Sequence, residues 1–551
     1  MSVTRPETPG GSGVPRVRGN DYRVLRPPAH FTPELRVSVV VPAYGAQDKL
    51  DLVLQGLARQ TYPAELTEII VVDNGSTPPL RLPEGSAARL VRCERPGRAA
   101  ARNAGLAEAS GDVIHWLDSD VVLTPGAVEA HMRWHHAAPY LSVTGYIRFT
   151  SAPLPAALPD DLEAAFEPAE PHAWLVGLVE RTDGLTDNPA RPFSLHVGGA
   201  TSVSARLVEA AGPMDEDLIV GQDTEMGYRL AQAGAVFVPE PRARAYHLGP
   251  TMRMREQRRV DRVSHAFVAD RIPAYQWLRT HPARQWKVPY VTAVLDGTAG
   301  YEAVRASVDA LLASTVVDLS VLLTGPWDTL DGDRRAPLKD PDLDLVLVQG
   351  HYAHEPRVRL AAAGEADPSV PFVLRLPAGL VPGEDSVARL VGLARAEGLG
   401  LVELRSPGHD VPARLERASS FARARLVARP GEPLDDAVAD VSGVRRVEAG
   451  AYGFGDEPGE LMGRRAAYQA RVQAQAEAAR RAKENERLRG QVTRWRDEAA
   501  RWRRSTVELR REVSALRREL HAAERAQRAR RGVRALLAGR VRRALRRGPH
   551  D

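Results

Sequence analysis

Three segments decide the fold: VSVVVPAY at 37–44, TEIIVVDNGS at 67–76 and DVIHWLDSD at 112–120. Each is a short apolar run, rich in β-branched residues, that stops at a polar or turn-forming residue. That is how a buried strand is written. DKLDLVLQGLARQ (48–60), AAARNAGLAEA (99–109) and PGAVEAHMRWHH (125–136) space their apolar residues three and four apart, which predicts helices. Strand and helix alternate, so the reading is α/β, with a mostly parallel sheet and helices on both faces. Ligands of such sheets sit at the carboxyl ends of the strands. Asp73, Asp118 and Asp120 fall at those ends.

Outward from this core, residues 1–34 are rich in Pro, Gly and Arg and read as a flexible lead-in. Residues 151–192 are Pro-rich and acidic, a long connection of the kind that is often functional. FSLHVGGATSVSARLVEAAG (193–212) and MDEDLIVGQDTEMGYRLAQAGAVFVPEPRARAYHLGP (214–250) follow, and helices close a first domain, 35–282. A second unit, 288–454, reads as a degraded copy. Its PFVLRLPAGLVPGEDSVARLVGLA (371–394) resembles DVIHWLDSDVVLTPGAVEAHMRW, with Pro377, Ala378 and Gly379 in place of Asp118, Ser119 and Asp120. SSFARARLVARPGEPLDD (419–436) resembles TSVSARLVEAAGPMDED (201–217), and nothing in the copy matches GQDTE.

Residues 461–530 read as a coiled coil. Leu488, Val492, Trp495, Ala499, Trp502, Thr506, Leu509, Val513, Leu516, Leu520 and Ala523 recur at alternating steps of four and three. Such a stripe calls for an equivalent stripe, hence a parallel homo-oligomer. The net charge of +5 hides an asymmetry: residues 461–551 hold 27 Lys and Arg against 10 Asp and Glu. Of the totals of 75 and 70, that leaves 48 against 60 in residues 1–460. Residues 531–551 carry seven Arg, one Asp and an apolar face, an Arg-rich amphipathic tail that suits an anionic membrane surface. Nucleic acid is not the expected partner, because base-stacking aromatics are not interleaved with these arginines. Cys93 is the one cysteine, so neither a disulfide within the chain nor a four-cysteine zinc site is available. No apolar run approaches the ~20 residues of a membrane span, and no secretory signal opens the chain, so a cytoplasmic protein is expected.

The chemistry-bearing residues are carboxylates. Asp118 and Asp120, one residue apart at a strand end, suit a hard divalent cation that keeps part of its shell for a diphosphate. Asp223 and Glu225 in GQDTEMGYRL stand at a helix start, where acidic side chains are stabilised in any case. The sharper reading is a general base beside a carboxylate that positions an acceptor hydroxyl. His247, in AYHLGP, can complete a Mn²⁺ shell.

With these motifs in hand, residues 37–250 resemble the family 2 glycosyltransferases with the GT-A fold. VSVVVPAYGAQ, IIVVDNGS, GRAAARNAG, the DSD and HVGGATSVSARL carry the likeness. GQDTEMGYRL and AYHLGP look like the acceptor-side region of chondroitin-polymerase-like and galactosyltransferase-like enzymes. The resemblance implies an inverting transfer from a nucleotide-sugar, by likeness a UDP-sugar, to a glycan, lipid-linked or wall-type acceptor. It implies that Pro42, Ala43 and Tyr44 line the nucleotide pocket and that Asp73 binds base or ribose. Arg102 would lie near the base or diphosphate, and Asp118 near the ribose or sugar. Asp120 and His247 would hold Mn²⁺ or Mg²⁺, Asp223 would be the base, and Gly198, Gly199 and Glu225 would shape the acceptor site. Gln222 departs from the acidic residue common at its place. Two other readings stay open: a scaffold built on an inactive fold, and a nucleotidyltransferase. A dinucleotide-binding oxidoreductase is disfavoured, because no G-x-G-x-x-G follows the first strand.

Overall fold

The computed structural model describes residues 13–28, 30–186, 191–281, 284–330, 335–364, 366–456 and 464–545. Residues 1–12 of the lead-in, 461–463 of the coiled coil and 546–551 of the tail lie outside them. The chain forms two compact units, 1–461 and 462–551.

The first sheet is built from β1 (Val37–Ala43), β2 (Thr67–Asp73), β3 (Arg89–Arg92), β4 (Val113–Leu117), β5 (Val121–Leu123), β6 (Leu141–Thr150), β7 (Ala169–Pro171), β8 (Ala200–Ser204) and β9 (Val236–Leu248). They lie in the order β3-β2-β1-β4-β8-β6-β9-β5, with β7 on β6. β3, β2, β1 and β4 are parallel, as expected, but β8 runs antiparallel to both β4 and β6, so the sheet is mixed. Period-two alternation divides β1: Val37, Val39 and Val41 enter one core and Val40 the other. Helices α1 (Gln47–Ala58) and α3 (Ala127–His135) cover the first face. α2 (Arg98–Glu108), α6 (Ala205–Ala211) and α7 (Gln222–Gln232) cover the second. Within the expected loop 151–192 lie α4 (Leu162–Phe166) and α5 (Ala173–Arg181). α8 (Met252–Arg271) follows β9.

A second sheet comprises β10 (Val291–Asp296), β11 (Leu319–Thr324), β12 (Val358–Ala361), β13 (Phe372–Arg375), β15 (Leu401–Arg405), β16 (Ala413–Arg417) and β17 (Val444–Glu448). β14 (Val381–Pro382) pairs with β18 (Phe454–Gly455). Its order, β12-β11-β10-β13-β16-β15-β17, repeats the run β3-β2-β1-β4-β8-β6-β9 of the first sheet, with the same parallel and antiparallel pairings; β5 and β7 have no counterpart in it. Helices α9 (Tyr301–Leu312), α10 (Leu343–Tyr352), α11 (Ser386–Ala396), α12 (Ala418–Val427) and α13 (Leu434–Val441) accompany it. Two details of the sequence reading change. Ser419 and Ser420 lie in α12, not in the strand that answers to β8. GQDTE does have a topological counterpart: α13, whose first turn carries Asp435 and Asp436.

The two sheets share one core, since Phe421, Ala424, Val427 and Val438 cluster with Val40, Ile70 and Tyr228. The buried Arg423 guanidinium donates to the carbonyls of Gly234 (2.9 Å) and Ala235 (2.8 Å) from the first sheet's side, and to those of Val17 and Gly19. Burial lowers its pKa to about 10, against an opposing pull from Tyr140. The expectation of a flexible lead-in is therefore corrected for residues 13–28. Val17 is fully buried, Asn20 exchanges hydrogen bonds with Phe237, and Arg16 pairs with Glu432 and Asp440. Apolar residues too sparse to show a period are covered by both sheets' elements. Residues Arg464–Leu545 form one helix of 82 residues, α14, which runs through the expected boundary at 530. Among the described residues no helix is long and apolar enough to cross a membrane.

Three histidines sit in the first sheet's core. His131 and His135 of α3 each place a ring nitrogen 2.8 Å from Ser202 Oγ, and His115 of β4 packs on His131 with ring centroids 4.6 Å apart. Among the described residues neither nitrogen of His115 has a partner. Burial pushes His115 down to about 4, His135 to about 3 and His131 well below the ordinary 6.5. The fold thus holds neutral imidazoles that the unfolded chain would protonate. Their contribution is complete above about pH 6.5 and is lost as the pH falls toward 4. Calorimetric melting between pH 8 and pH 4 should show this loss. His115→Leu should make it shallower and add about 1–3 kcal/mol at neutral pH, since a desolvated, unpaired group is removed. An unchanged slope would assign the acid sensitivity elsewhere.

Candidate active site

The carboxyl ends of β1, β2 and β4 form one edge. β1 and β2 pair in register to Ala43 and Asp73, and the DNGS turn then ties the strand ends together. Asp73 is buried. One of its carboxylate oxygens accepts from the Ser76 amide at 2.8 Å and the other from the Leu80 amide at 3.1 Å. Burial pushes this carboxyl up, but the Ser76 hydroxyl and the two amides outweigh it and hold it below its ordinary value. Asn74 accepts from the Gly97 amide, at the start of α2, and donates to the Arg95 carbonyl. Ala43 is buried at the end of β1, and Tyr44 is 75% exposed beside it.

Helix α2 lies directly on β1, because a Cβ at Gly105 would overlap Val40. One turn earlier, Arg102 is buried to 1% exposure. Its Nη1 bonds Asp223 Oδ1 on α7, and its Nη2 bonds Asp118 Oδ1 (2.8 Å) and the Gly198 carbonyl (3.1 Å). Burial opposes the guanidinium's charge, yet the two carboxylates outweigh it and hold its pKa above the ordinary value. Gly198 is obligatory, since a Cβ there would strike both Arg102 and Asp223. At Gly199 a Cβ would stand 3.1 Å from Asp118 Oδ2. Asp223 Oδ2 meets no donor among the described residues, and the side chain is about a third exposed.

Asp120 stands at the turn into β5, which pairs with the end of β9. Its Oδ1 lies 3.5 Å from His247 Nε2, and its Oδ2 lies 3.5 Å from Lys49 Nζ. Two donors at that separation can both reach one cation at ~2.1 Å, so Asp120 and His247 fit a divalent ion. Among the described residues no group of three or more His, Cys, Asp or Glu converges, so the remaining shell would come from substrate oxygens and water.

Residues 38–170 match the family model for glycosyl transferase family 2. The chain carries a family 2 glycosyltransferase domain. Hyaluronan synthase of Pasteurella multocida is 26% identical over 357 residues, covering 59% of this chain and 35% of that protein. Chondroitin synthase of Escherichia coli is 25% identical over 355 residues, covering 59% and 49%. The chain thus spans about a third to a half of the length of these relatives. Among solved structures, the mannosyltransferase PcManGT from Pyrobaculum calidifontis, in complex with GDP-Man and Mn²⁺, is similar with a TM-score of 0.31 and 19% identity. That likeness covers 45% of this chain and 68% of the other. The matched residues lie in the α/β sheet formed by β1 to β9.

Two expectations change within it. Glu225 does not line the acceptor side: it is buried, and both of its oxygens accept from Arg229 at 2.7 and 2.8 Å, which in turn holds the Ala211 and Gly212 carbonyls. Two residues apart on one helix, Asp223 and Glu225 cannot share a face. Arg102 is buried behind the site and joins Asp118 to Asp223, where contact with base or diphosphate was expected. Lys49, in the first turn of α1, was missed; its amine also donates to the Leu248 carbonyl at 2.5 Å. The loop 151–192 contributes His172 and the half-exposed Trp174. With Phe149 they form a line of rings leading away from His247. Burial pushes His196, beside Asp223, down to about 4.

Arg102→Met should cost about 3–5 kcal/mol in urea unfolding, because it strands two carboxylates that share a buried cation. Glu225→Gln should also lower stability but leave nucleotide affinity unchanged. A Glu225→Gln variant of native stability with altered affinity would return that residue to the site.

Proposed function

We propose that residues 35–282 move a sugar from a nucleotide-sugar, a UDP-sugar in our reading, to a hydroxyl of a glycan, lipid-linked or wall-type acceptor with inversion at the anomeric carbon. The observation that carries this is the Arg102 bridge, which sets Asp223 against the Asp118 to Asp120 turn. A sugar lying between them has a base on one side and the departing diphosphate on the other. Asp223 Oδ2 takes the acceptor proton as the hydroxyl oxygen attacks, and the bond from the anomeric carbon to the diphosphate breaks. A Mn²⁺ or Mg²⁺ ion on Asp120 and His247 would neutralise charge on the leaving diphosphate. The Lys49 ammonium adds positive charge at the same edge, and Asp73 holds the floor of the nucleotide pocket.

Residues 288–454 are read as a degenerate, non-catalytic copy. Three features support this. Gly325 replaces Asp73, Pro377 to Gly379 replace the DSD, and the Trp327 indole packs on Gly297 and Gly325 at the strand ends that answer to the nucleotide pocket. In this reading the protein is cytoplasmic, and its Arg-rich end rests on the inner membrane face, where Val533, Leu536, Leu537 and Val541 are more than half exposed.

A screen of nucleotide-sugars with Mn²⁺ and Mg²⁺ tests the activity. Asp120→Ala should abolish metal-dependent nucleotide binding. Asp223→Asn should keep binding and lose at least ~10²-fold in transfer. Calorimetry should find one nucleotide per chain, and two would overturn the degenerate reading. Sedimentation with anionic vesicles should separate the full chain from one ending at Arg530, and equal binding would remove the tail from the account.

A further inference from the structure

The helix α14 leaves a continuous apolar stripe in water: Trp495 is 71% exposed, Trp502 68% and Leu516 64%. The order of the steps fixes the heptad. Leu488, Trp495, Trp502, Leu509, Leu516 and Ala523 each precede a step of four, or end the series, and take position d. Val492, Ala499, Thr506, Val513 and Leu520 take position a. The flanks are then unequal. The g side, before each a residue, holds Gln491, Glu498, Ser505, Glu512 and Glu519. The e side, after each d residue, includes Arg489, Arg496, Arg510 and Arg517.

This asymmetry selects an orientation. In an antiparallel pair e faces e and g faces g, so arginines would line up against arginines and glutamates against glutamates. In a parallel, in-register pair each g residue meets the e residue five positions on in the other helix. Glu512 then meets Arg517, Gln491 meets Arg496 and Ser505 meets Arg510. The core selects the number of strands. β-branched Val492, Thr506 and Val513 at a, with Leu488, Leu509 and Leu516 at d, favour two. Ala499 sits between Trp495 and Trp502 and leaves room for their rings. We propose that residues 488–523 form a parallel, in-register, two-stranded coiled coil with a second copy of this chain. Where residues 35–282 transfer sugar as read above, the pairing gives one particle two transfer centres. It also gives it two Arg-rich ends, whose weak surface affinities multiply.

Sedimentation equilibrium of the full chain should give twice the monomer mass of 60.1 kDa. A monomer or a trimer overturns the proposal. Orientation is read by mixing Leu488→Cys and Ala523→Cys chains, both carrying Cys93→Ser, and treating them with a short bismaleimide. These positions are roughly 50 Å apart along one helix. Like-with-like links, 488 to 488 and 523 to 523, are expected by mass spectrometry. Links from 488 to 523 between chains, or none in a chain that is dimeric, overturn the parallel register. Leu516→Asp should convert the dimer to monomer while nucleotide binding per chain stays unchanged. That readout keeps this proposal separable from the proposed transfer activity.

Discussion

A single buried cation organises the edge where β1, β2 and β4 end. Arg102 is 1% exposed and contacts Asp118 after β4, Asp223 on α7 and the Gly198 carbonyl. A guanidinium tolerates such burial only when its charge is matched and its hydrogens are used, and two carboxylates and a carbonyl do both. The same demand explains the neighbours. Gly105 lets α2 approach β1 closely enough to deliver the guanidinium, and Gly198 leaves room for it beneath Asp223. Asp118 and Asp223, carboxylates on different elements, are thus spaced by a rigid, planar group, not by loop geometry alone.

The sequence carries the strands, the helix starts and the strand-end carboxylates plainly, because alternation and turn residues are local signals. Asp73, Asp118, Asp120, Asp223 and His247 could be picked out for that reason. Contacts that depend on how helices lie over the sheet could not. Arg102 in AAARNAG looks like a surface residue until Gly105 is known to touch Val40. The pairing of Glu225 with Arg229 did leave a signal, a carboxylate four residues before an arginine on one helix, and it outweighs the acceptor role. The packing of residues 13–28 left none, since Asn20 bonds Leu185 and Phe237, and Arg423 reaches the Val17 carbonyl, all partners more than a hundred residues away in sequence.

The shared core changes what the second sheet can be. Arg423 donates only to carbonyls, two of them from the turn before β9 and two from the N-terminal segment. A buried arginine without a carboxylate is held by the completeness of that set, and the set exists only when both sheets and residues 17–19 are in place. The Tyr228 hydroxyl, on the helix that carries Asp223, reaches the Ser369 carbonyl of the second sheet's region. The second sheet's region therefore buttresses α7 directly, a role that needs its fold alone.

Comparing the two sheets separates what the architecture requires from what the chemistry requires. The order and pairing direction of seven strands are the same in both, β3 to β9 in the first and β12 to β17 in the second. The differences concentrate at three strand ends. Gly297 stands at the place of Ala43, Gly325 at that of Asp73, and Pro377, Ala378 and Gly379 at that of the DSD. Strand interiors are constrained by burial on both faces, so losing a methyl there costs stability in either copy. Strand ends are free of that constraint, and in the second sheet Trp327 fills the space against Gly297 and Gly325. The first sheet has instead kept a buried Asp73, a Gly198 that tolerates no side chain and an ion-paired Asp223. Their joint presence in one sheet and absence from the other sets the edge of β1, β2 and β4 apart from its counterpart.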